Sequence, residues 1–162
     1  MMPMPHMLPD NALHRHYRDE GGYADCYHVK VSTVVTLNEF VQAFYTSRLF
    51  KFERLILRLL IAKPSTDHQA RLLAHGEIEN FSAWTVETRS EGQLLMRDYK
   101  GMTLSWFMVT EDQGSKLFFG TAIVRAKGNG SRIPRLFSAT LWFHKLYSRA
   151  LLWSAVRNLP TT

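Results

Sequence analysis

Residues 134–159 read PRLFSATLWFHKLYSRALLWSAVRNL, with no glycine and no proline after the first position. Apolar residues recur at helical spacing, which predicts one long C-terminal helix over Pro134–Leu159. One arc of this helix carries the apolar residues Leu136, Phe137, Leu141, Phe143, Tyr147, Leu151, Leu152, Ala155 and Leu159. His144 falls near the centre of that arc, and the opposite arc combines basic residues with Trp142, Leu146 and Trp153. The helix therefore has no wholly polar side.

Length and composition indicate one intracellular domain. The chain has 162 residues, the length of a single domain, and no apolar stretch reaches the ~18 residues of a membrane span. Residues 1–10 contain three prolines and lack the apolar core of a signal peptide. A lone cysteine, Cys26, forms no internal disulfide, which is typical of a reducing compartment. We expect a cytoplasmic protein with a flexible leader over residues 1–20 and one domain over residues 21–160.

The net charge of +6 is unevenly distributed along the chain. After Asp112 there are eight lysine and arginine residues and no acidic residue, whereas the preceding part is slightly acidic in sum. Such asymmetry indicates a solvated basic face or, alternatively, a surface for nucleic acid, anionic lipid or an acidic partner.

The first half of the chain predicts a strand followed by two helices. Residues Tyr23–Val35 are rich in β-branched and aromatic residues and read as the first strand. Thr36 and Glu39 have capping-box spacing and predict a helix start. Arg48–Ala62 reads as a second helix with a basic stripe at Arg48, Lys51, Arg54 and Arg58. Such a helix can lie on an anionic membrane, although more often it packs on its own sheet. Glu53 falls in its apolar arc, where it needs a partner or a wet cavity.

The middle of the chain predicts an antiparallel meander. Alternating runs occur at Arg71–Ile78, Phe81–Arg89, Gln93–Tyr99, Met102–Thr110 and Lys116–Lys127. The separators are short and contain glycine, which favours consecutive hairpins. Gly120 and Ala122 leave space on their strand face, as expected where a helix crosses closely or a cavity opens.

This order predicts an α+β fold: a curved antiparallel sheet wrapped around the long C-terminal helix, with two short helices after the first strand. The chain resembles the helix-grip superfamily, which includes START-type lipid-binding domains, birch-pollen-allergen-like proteins and polyketide cyclases. Gly22–Asp25, Arg97–Asp98 and Phe143–Tyr147 are similar to motifs of a bacterial family of unknown function within it. The resemblance implies a hydrophobic cavity between sheet and helix, and it leaves open whether the protein binds a ligand or performs chemistry.

The surfaces expected to face each other supply aromatic and sulfur-containing side chains. Such residues suit a pocket for a hydrophobic or amphipathic ligand and suit a solid core equally well. The candidate ligand-binding residues are Trp84, Met96, Leu104, Trp106, Met108, Phe118, Phe137, Leu141, Tyr147 and Leu151.

Three polar residues, Asp25, Asp98 and His144, are expected to face inward. If they converge, a carboxylate can orient His144 as a base for an acidic C–H or O–H proton, as in a cyclase or isomerase. Alternatively, His144 is a hydrogen-bonded core residue, and Asp25 and Asp98 bind strand-end amides or turn residues.

Other signals are weaker. No metal-ligand signature, nucleophile elbow, P-loop or dinucleotide fingerprint is present, so we expect no metal and no cofactor. The Gly128–Gly130 turn reads as a connector rather than a phosphate site. Trp142 and Trp153 interleave with basic residues, yet no nucleic-acid recognition motif accompanies them. We therefore expect no nucleic-acid partner. A homodimer through the Trp142/Trp153 face or peripheral contact with a membrane remain open as alternatives.

Overall fold

The computed structural model describes residues 2–61, 64–124 and 135–160; for residues 60–61 and 135–141 it describes the backbone alone. Its elements, in chain order, are β1 (Met4–Pro5), α1 (Arg15–Asp19), β2 (Tyr23–Ala24), β3 (Tyr27–Val31), α2 (Leu37–Tyr45), α3 (Arg48–Ile61), α4 (Asp67–His75), β4 (Asn80–Phe81), β5 (Trp84–Ser90), β6 (Gln93–Asp98), β7 (Thr103–Glu111), β8 (Ser115–Ile123) and α5 (Arg135–Val156). The class is α+β, as the sequence predicts. The predicted turn at Gly128–Gly130 lies outside the described residues.

The described strands form one antiparallel sheet of eight strands. Their order is β1-β3-β8-β7-β6-β5-β4, and β2 also pairs with β8. The predicted meander is confirmed for β5 to β8, which are consecutive hairpin-linked neighbours. The predicted first strand is two strands, β2 and β3, which both pair with β8 on either side of a break at Asp25 and Cys26. Strand β3, near the start of the chain, therefore pairs directly with β8, the last strand of the meander.

Three helices follow β3, whereas the sequence analysis expected two. The capping box of Thr36 and Glu39 is present and starts α2. A second capping box, from Thr66 to Gln69, starts α4, which ends at Gly76 in the left-handed conformation. The expectation of a strand at Arg71–Ile78 was therefore wrong, because a capped helix occupies most of that stretch.

The helices cover one face of the sheet, which we call the helix face. Helix α2 lies on β7, α4 contacts β4, and α5 packs on β3 and β8. Phe40 and Phe44 of α2 contact Phe107 with ring centroids 5.7 and 4.8 Å apart. Each such buried aromatic side chain contributes roughly 1.5–3 kcal/mol. The centre of the sheet is thus covered by α2, and α5 crosses only its β3–β8 side, where the sequence analysis expected α5 to lie across the whole sheet.

The N-terminal segment covers the other face, which we call the outer face. Met4 and Pro5 extend the sheet by pairing with His28 and Tyr27 of β3. The buried residues of this face are Leu8, Ala12, Tyr17, Cys26, Leu95, Leu104, Trp106, Met108, Phe118 and Ala122. The sequence predicts a flexible leader over residues 1–20, whereas Met4–Pro5 pair with β3, and Leu8, Ala12 and Tyr17 pack against the outer face of the sheet.

Helix α5 has one buried side and one exposed side. Leu151, Leu152 and Ala155 are buried on the helix face of the sheet, as predicted. Trp142 and Phe143 are 70% and 63% exposed, although Phe143 was expected on the buried arc. No described helix combines the length and hydrophobicity needed to cross a membrane.

Candidate functional site

Asp25 lies at the break between β2 and β3, where both strands pair with β8. Its carboxylate is 9% exposed. Thr121 donates to Oδ1 from its backbone N–H at 2.9 Å and from its hydroxyl at 2.8 Å. The hydroxyls of Tyr23 and Tyr27 donate to Oδ2 at 3.0 and 3.4 Å. An ionised carboxylate only accepts hydrogen bonds, so this shell of donors fits the charged form.

His144 reaches the same place from α5. Its Nε2 is 2.7 Å from the Thr121 hydroxyl oxygen and 3.8 Å from Asp25 Oδ2. Thr121 has one hydroxyl proton, and the carboxylate is the stronger acceptor, so we assign that proton to the bond with Asp25. Nε2 of His144 then carries its own proton and donates to Thr121. The unprotonated Nδ1 is left as an acceptor.

Two effects act on the pKa of His144. Burial lowers this pKa, and the charge of Asp25 raises it and offsets part of the effect of burial. The imidazole is therefore neutral at neutral pH, with its side chain 27% exposed. A proton that arrives at Nδ1 creates an imidazolium that Asp25 stabilises. The pair can thus accept either a hydrogen bond or a proton from a bound molecule.

Tyr23 and Tyr27 complete the site as donors. Burial, assisted by the charge of Asp25, raises the pKa of both phenols, so they keep their protons. The ring of Tyr23 stands edge-on to His144, with centroids 6.2 Å apart. Tyr23 therefore both fixes the carboxylate and forms a wall beside the imidazole.

Asp98 does not join this site. It lies at the end of β6, where Oδ1 accepts hydrogen bonds from the backbone N–H groups of Met102 and Thr103 at 2.7 and 3.0 Å. These bonds hold the β6–β7 turn. Convergence of Asp98 with His144 was one of two alternatives, and the contacts of Asp98 match the other, in which it binds the amides of a turn.

The candidate ligand-binding residues lie on opposite faces of the sheet. Trp84, Met96, Tyr147 and Leu151 are on the helix face. Leu104, Trp106, Met108 and Phe118 are on the outer face, under the N-terminal segment. The side chains of Phe137 and Leu141 lie outside the described ones. This set cannot line one cavity, since the sheet itself separates its two halves.

His14 lies directly behind the site, and no pattern in the sequence predicts a structural role for it. It is fully buried, its Nε2 is 3.1 Å from the carbonyl oxygen of Asp25, and its ring contacts Trp106 at 4.5 Å. Burial lowers its pKa to about 4, so the ring is neutral and Nε2 donates. Gly120 leaves the space for this ring, because a Cβ there would lie 2.8 Å from Nε2.

Glu53 has the partner that its position in an apolar arc requires. The hydroxyl of Tyr147 donates to its carboxylate and links α3 to α5. Burial raises the pKa of Glu53, and the bond from Tyr147 opposes that effect. Tyr147, expected to line a ligand pocket, therefore has its polar end committed to a helix–helix contact.

Within residues 2–61, 64–124 and 135–160, no group of three or more His, Cys, Asp or Glu side chains could hold a metal ion. The chain was also compared with protein-family models, with curated proteins and with solved structures, and none of these comparisons finds a match.

Proposed function

We propose that the protein binds a small hydrophobic or amphipathic molecule where α5 meets the β3–β8 side of the sheet, with the polar end of the molecule at His144. The observation that carries this proposal is the chain of contacts from Asp25 through Thr121 to His144. It fixes a partly buried imidazole between α5 and the β3–β8 side of the sheet, which otherwise bury apolar side chains against each other. A partly buried titratable side chain whose pKa is shifted by burial and by a specific charged partner is a candidate for a functional site.

The helix-grip architecture is part of this proposal. Its support is the order of elements, from one strand through helices and an antiparallel meander to a terminal helix that packs on β3 and β8. The sheet separates the two groups of expected ligand-binding residues. We therefore restrict the ligand site to the helix face and to the side chains around His144.

Native mass spectrometry of the freshly purified protein tests the proposal. We expect a retained small molecule in the wild-type spectrum and its loss from His144→Phe. His75→Phe is the matched control, because His75 is an exposed histidine at the end of α4. Repeated absence of any adduct, together with no shift in melting temperature across a panel of fatty acids and isoprenoids, would contradict ligand binding.

Acid–base catalysis of the cyclase or isomerase kind is the second candidate. It is favoured by the position of Asp25, whose Oδ2 is 3.8 Å from Nε2 of His144. When Nδ1 takes a proton from a bound molecule, the charge of Asp25 stabilises the imidazolium that forms. The test is incubation of the retained molecule with the protein in D2O. We expect deuterium at an acidic carbon with the wild type and none with a folded His144→Phe. Equal exchange in both would leave binding without catalysis.

A further inference from the structure

Helix α3 has an apolar stripe that faces solvent. Phe52, Leu55, Ile56 and Leu59 have the spacing i, i+3, i+4, i+7, which normally marks the buried side of a helix. Their exposed fractions are 61%, 49%, 39% and 74%. Soluble monomers rarely expose a contiguous apolar stripe of this kind, so we expect a binding partner to cover these four side chains.

Helix α5 carries a second exposed stripe beside the first. It consists of Trp142, Phe143, Leu146 and Trp153, which are 40–70% exposed. The two helices are in contact, and Phe52 and Trp153 line one open groove between them, of about 680 Å³. The backbone N–H of Leu49 also donates to the Ser154 hydroxyl at 3.4 Å across this groove. The stripes thus form one surface, which we call the α3–α5 surface.

The charges around this surface are positive. Arg48 and Arg58 are exposed on α3, Lys145 is exposed on α5, and Arg157 is exposed in the turn directly after α5. Glu53 is the only acidic residue on either helix, and its half-buried carboxylate is bound by Tyr147. Lys51 and Arg54 are partly neutralised by Asp67 of α4, at 2.6 Å from each. The remaining cations have no carboxylate partner among the described residues.

Apolar side chains bordered by arginine and lysine match the boundary between lipid headgroups and acyl chains. Anionic phosphates pair with the cations, while tryptophan, phenylalanine and leucine enter the apolar layer. An anionic protein or nucleic acid would complement the cations and leave the two stripes uncovered. A second copy of the chain would cover the stripes but bring the same cations together.

We propose that the α3–α5 surface docks the protein on an anionic membrane, with α3 and α5 lying along the lipid interface. His144 and Asp25 do not belong to this surface, so the proposal stands independently of the ligand site. Partial insertion of two side chains of this size into the apolar layer corresponds to at least a tenfold change in partitioning.

Sedimentation with vesicles tests the proposal on the full chain. The vesicles are phosphatidylcholine alone or a mixture with about one third phosphatidylglycerol. We expect binding to the anionic vesicles that weakens as salt is added, and weak binding to the neutral ones. Phe52→Ser with Leu59→Ser should lower binding to anionic vesicles at least tenfold. Tyr99→Ser with Met102→Ser is the matched control, because these residues are similarly exposed, at 51% and 56%, but lie in the β6–β7 turn and on neither α3 nor α5.

Three results would overturn the proposal. The first is no binding to anionic vesicles by wild-type protein with a native circular dichroism spectrum. The second is an equal loss in both double variants. The third is a stable homodimer in sedimentation equilibrium that Phe52→Ser with Leu59→Ser dissociates, without vesicle binding, since the surface would then be a subunit interface. A retained ligand in native mass spectrometry alters none of these results, so the two proposals can fail separately.

Discussion

Gly120→Ala is expected to destabilise the fold through the residue that anchors the site. A Cβ at position 120 would lie 2.4 Å from the carbonyl oxygen of Asp25 and 2.8 Å from Nε2 of His14. The first of these atoms is backbone, and its residue is held by the hydrogen bond from the Asp25 N–H to the Thr121 carbonyl at 3.0 Å. The added methyl must therefore displace the Asp25 carbonyl and, by a smaller distance, the ring of His14.

The cost follows from these contacts. Overpacking of this kind costs about 1–3 kcal/mol, and loss of the bond between His14 and Asp25 adds about 1 kcal/mol. A total of about 2–4 kcal/mol corresponds to a fall in melting temperature of roughly 5–15 °C for a chain of this size. Because Asp25 moves, the titration of His144 should change as well.

Urea unfolding and differential scanning calorimetry measure this cost. Gly101→Ala is the control, because Gly101 has φ of +68° but no atom closer than 3.6 Å to an added Cβ. Gly101→Ala should lower the free energy of unfolding by only about 1–2 kcal/mol, the cost of placing an alanine in the left-handed conformation. A Gly120→Ala protein no less stable than Gly101→Ala would refute the packing of His14 against β8.

Three further predictions follow from the titratable groups and the turns. His14 has a folded pKa of about 4 against 6.5 when unfolded, so the unfolded chain binds more protons and stability falls as pH drops from about 6.5 towards 4. His14→Gln, which keeps an N–H donor, should remove about 2 kcal/mol of the loss between pH 7.5 and 5, and an unchanged pH profile of urea midpoints would contradict its burial. Burial raises the pKa of Glu53, so ionisation of this carboxyl destabilises the fold as pH rises above the pKa that it has in the unfolded chain. Glu53→Gln should therefore raise the melting temperature at neutral pH. A lower melting temperature in this variant would mean that Tyr147 requires a charged partner. Asp98→Ala should cost about 1–3 kcal/mol by leaving two turn amides without their acceptor, while the NMR titration of His144 stays as in the wild type; a shifted titration would return Asp98 to the site.

The sequence was sufficient for the elements whose patterns are local. Alternation and glycine-bearing turns located β5 to β8, and the capping box of Thr36 located α2. Helix α4 was missed although Thr66 and Gln69 have the same spacing, because its short apolar pattern also fits a strand. Local sequence patterns therefore predict the strands of the meander more accurately than they predict the short helices.

The two covers of the sheet could not be found from local patterns. In β7, Trp106 and Phe107 are both fully buried, so alternation does not tell which of them faces the helices. The answer depends on the N-terminal segment, whose prolines and scattered apolar residues carry no periodic signal. For this reason four of the eight expected ligand-binding residues whose side chains are described lie on the outer face, away from the helices.

The pairing of Asp25 with His144 was foreseen only as a condition. The sequence predicts that Asp25 faces inward, and the helical pattern places His144 near the centre of the apolar arc of α5. Nothing local indicated that Thr121 would join them, because its role depends on the register of β8 with the break after β2.

The most direct test of the central claim is long-range 1H–15N NMR of the His144 side chain in the wild type and in Asp25→Asn. We expect a neutral ring at neutral pH, with the proton on Nε2 and none on Nδ1. In Asp25→Asn the pKa of His144 should fall further, because the carboxylate that raises it is gone. A proton on Nδ1 in the wild type, or a titration that does not respond to Asp25→Asn, would contradict the site.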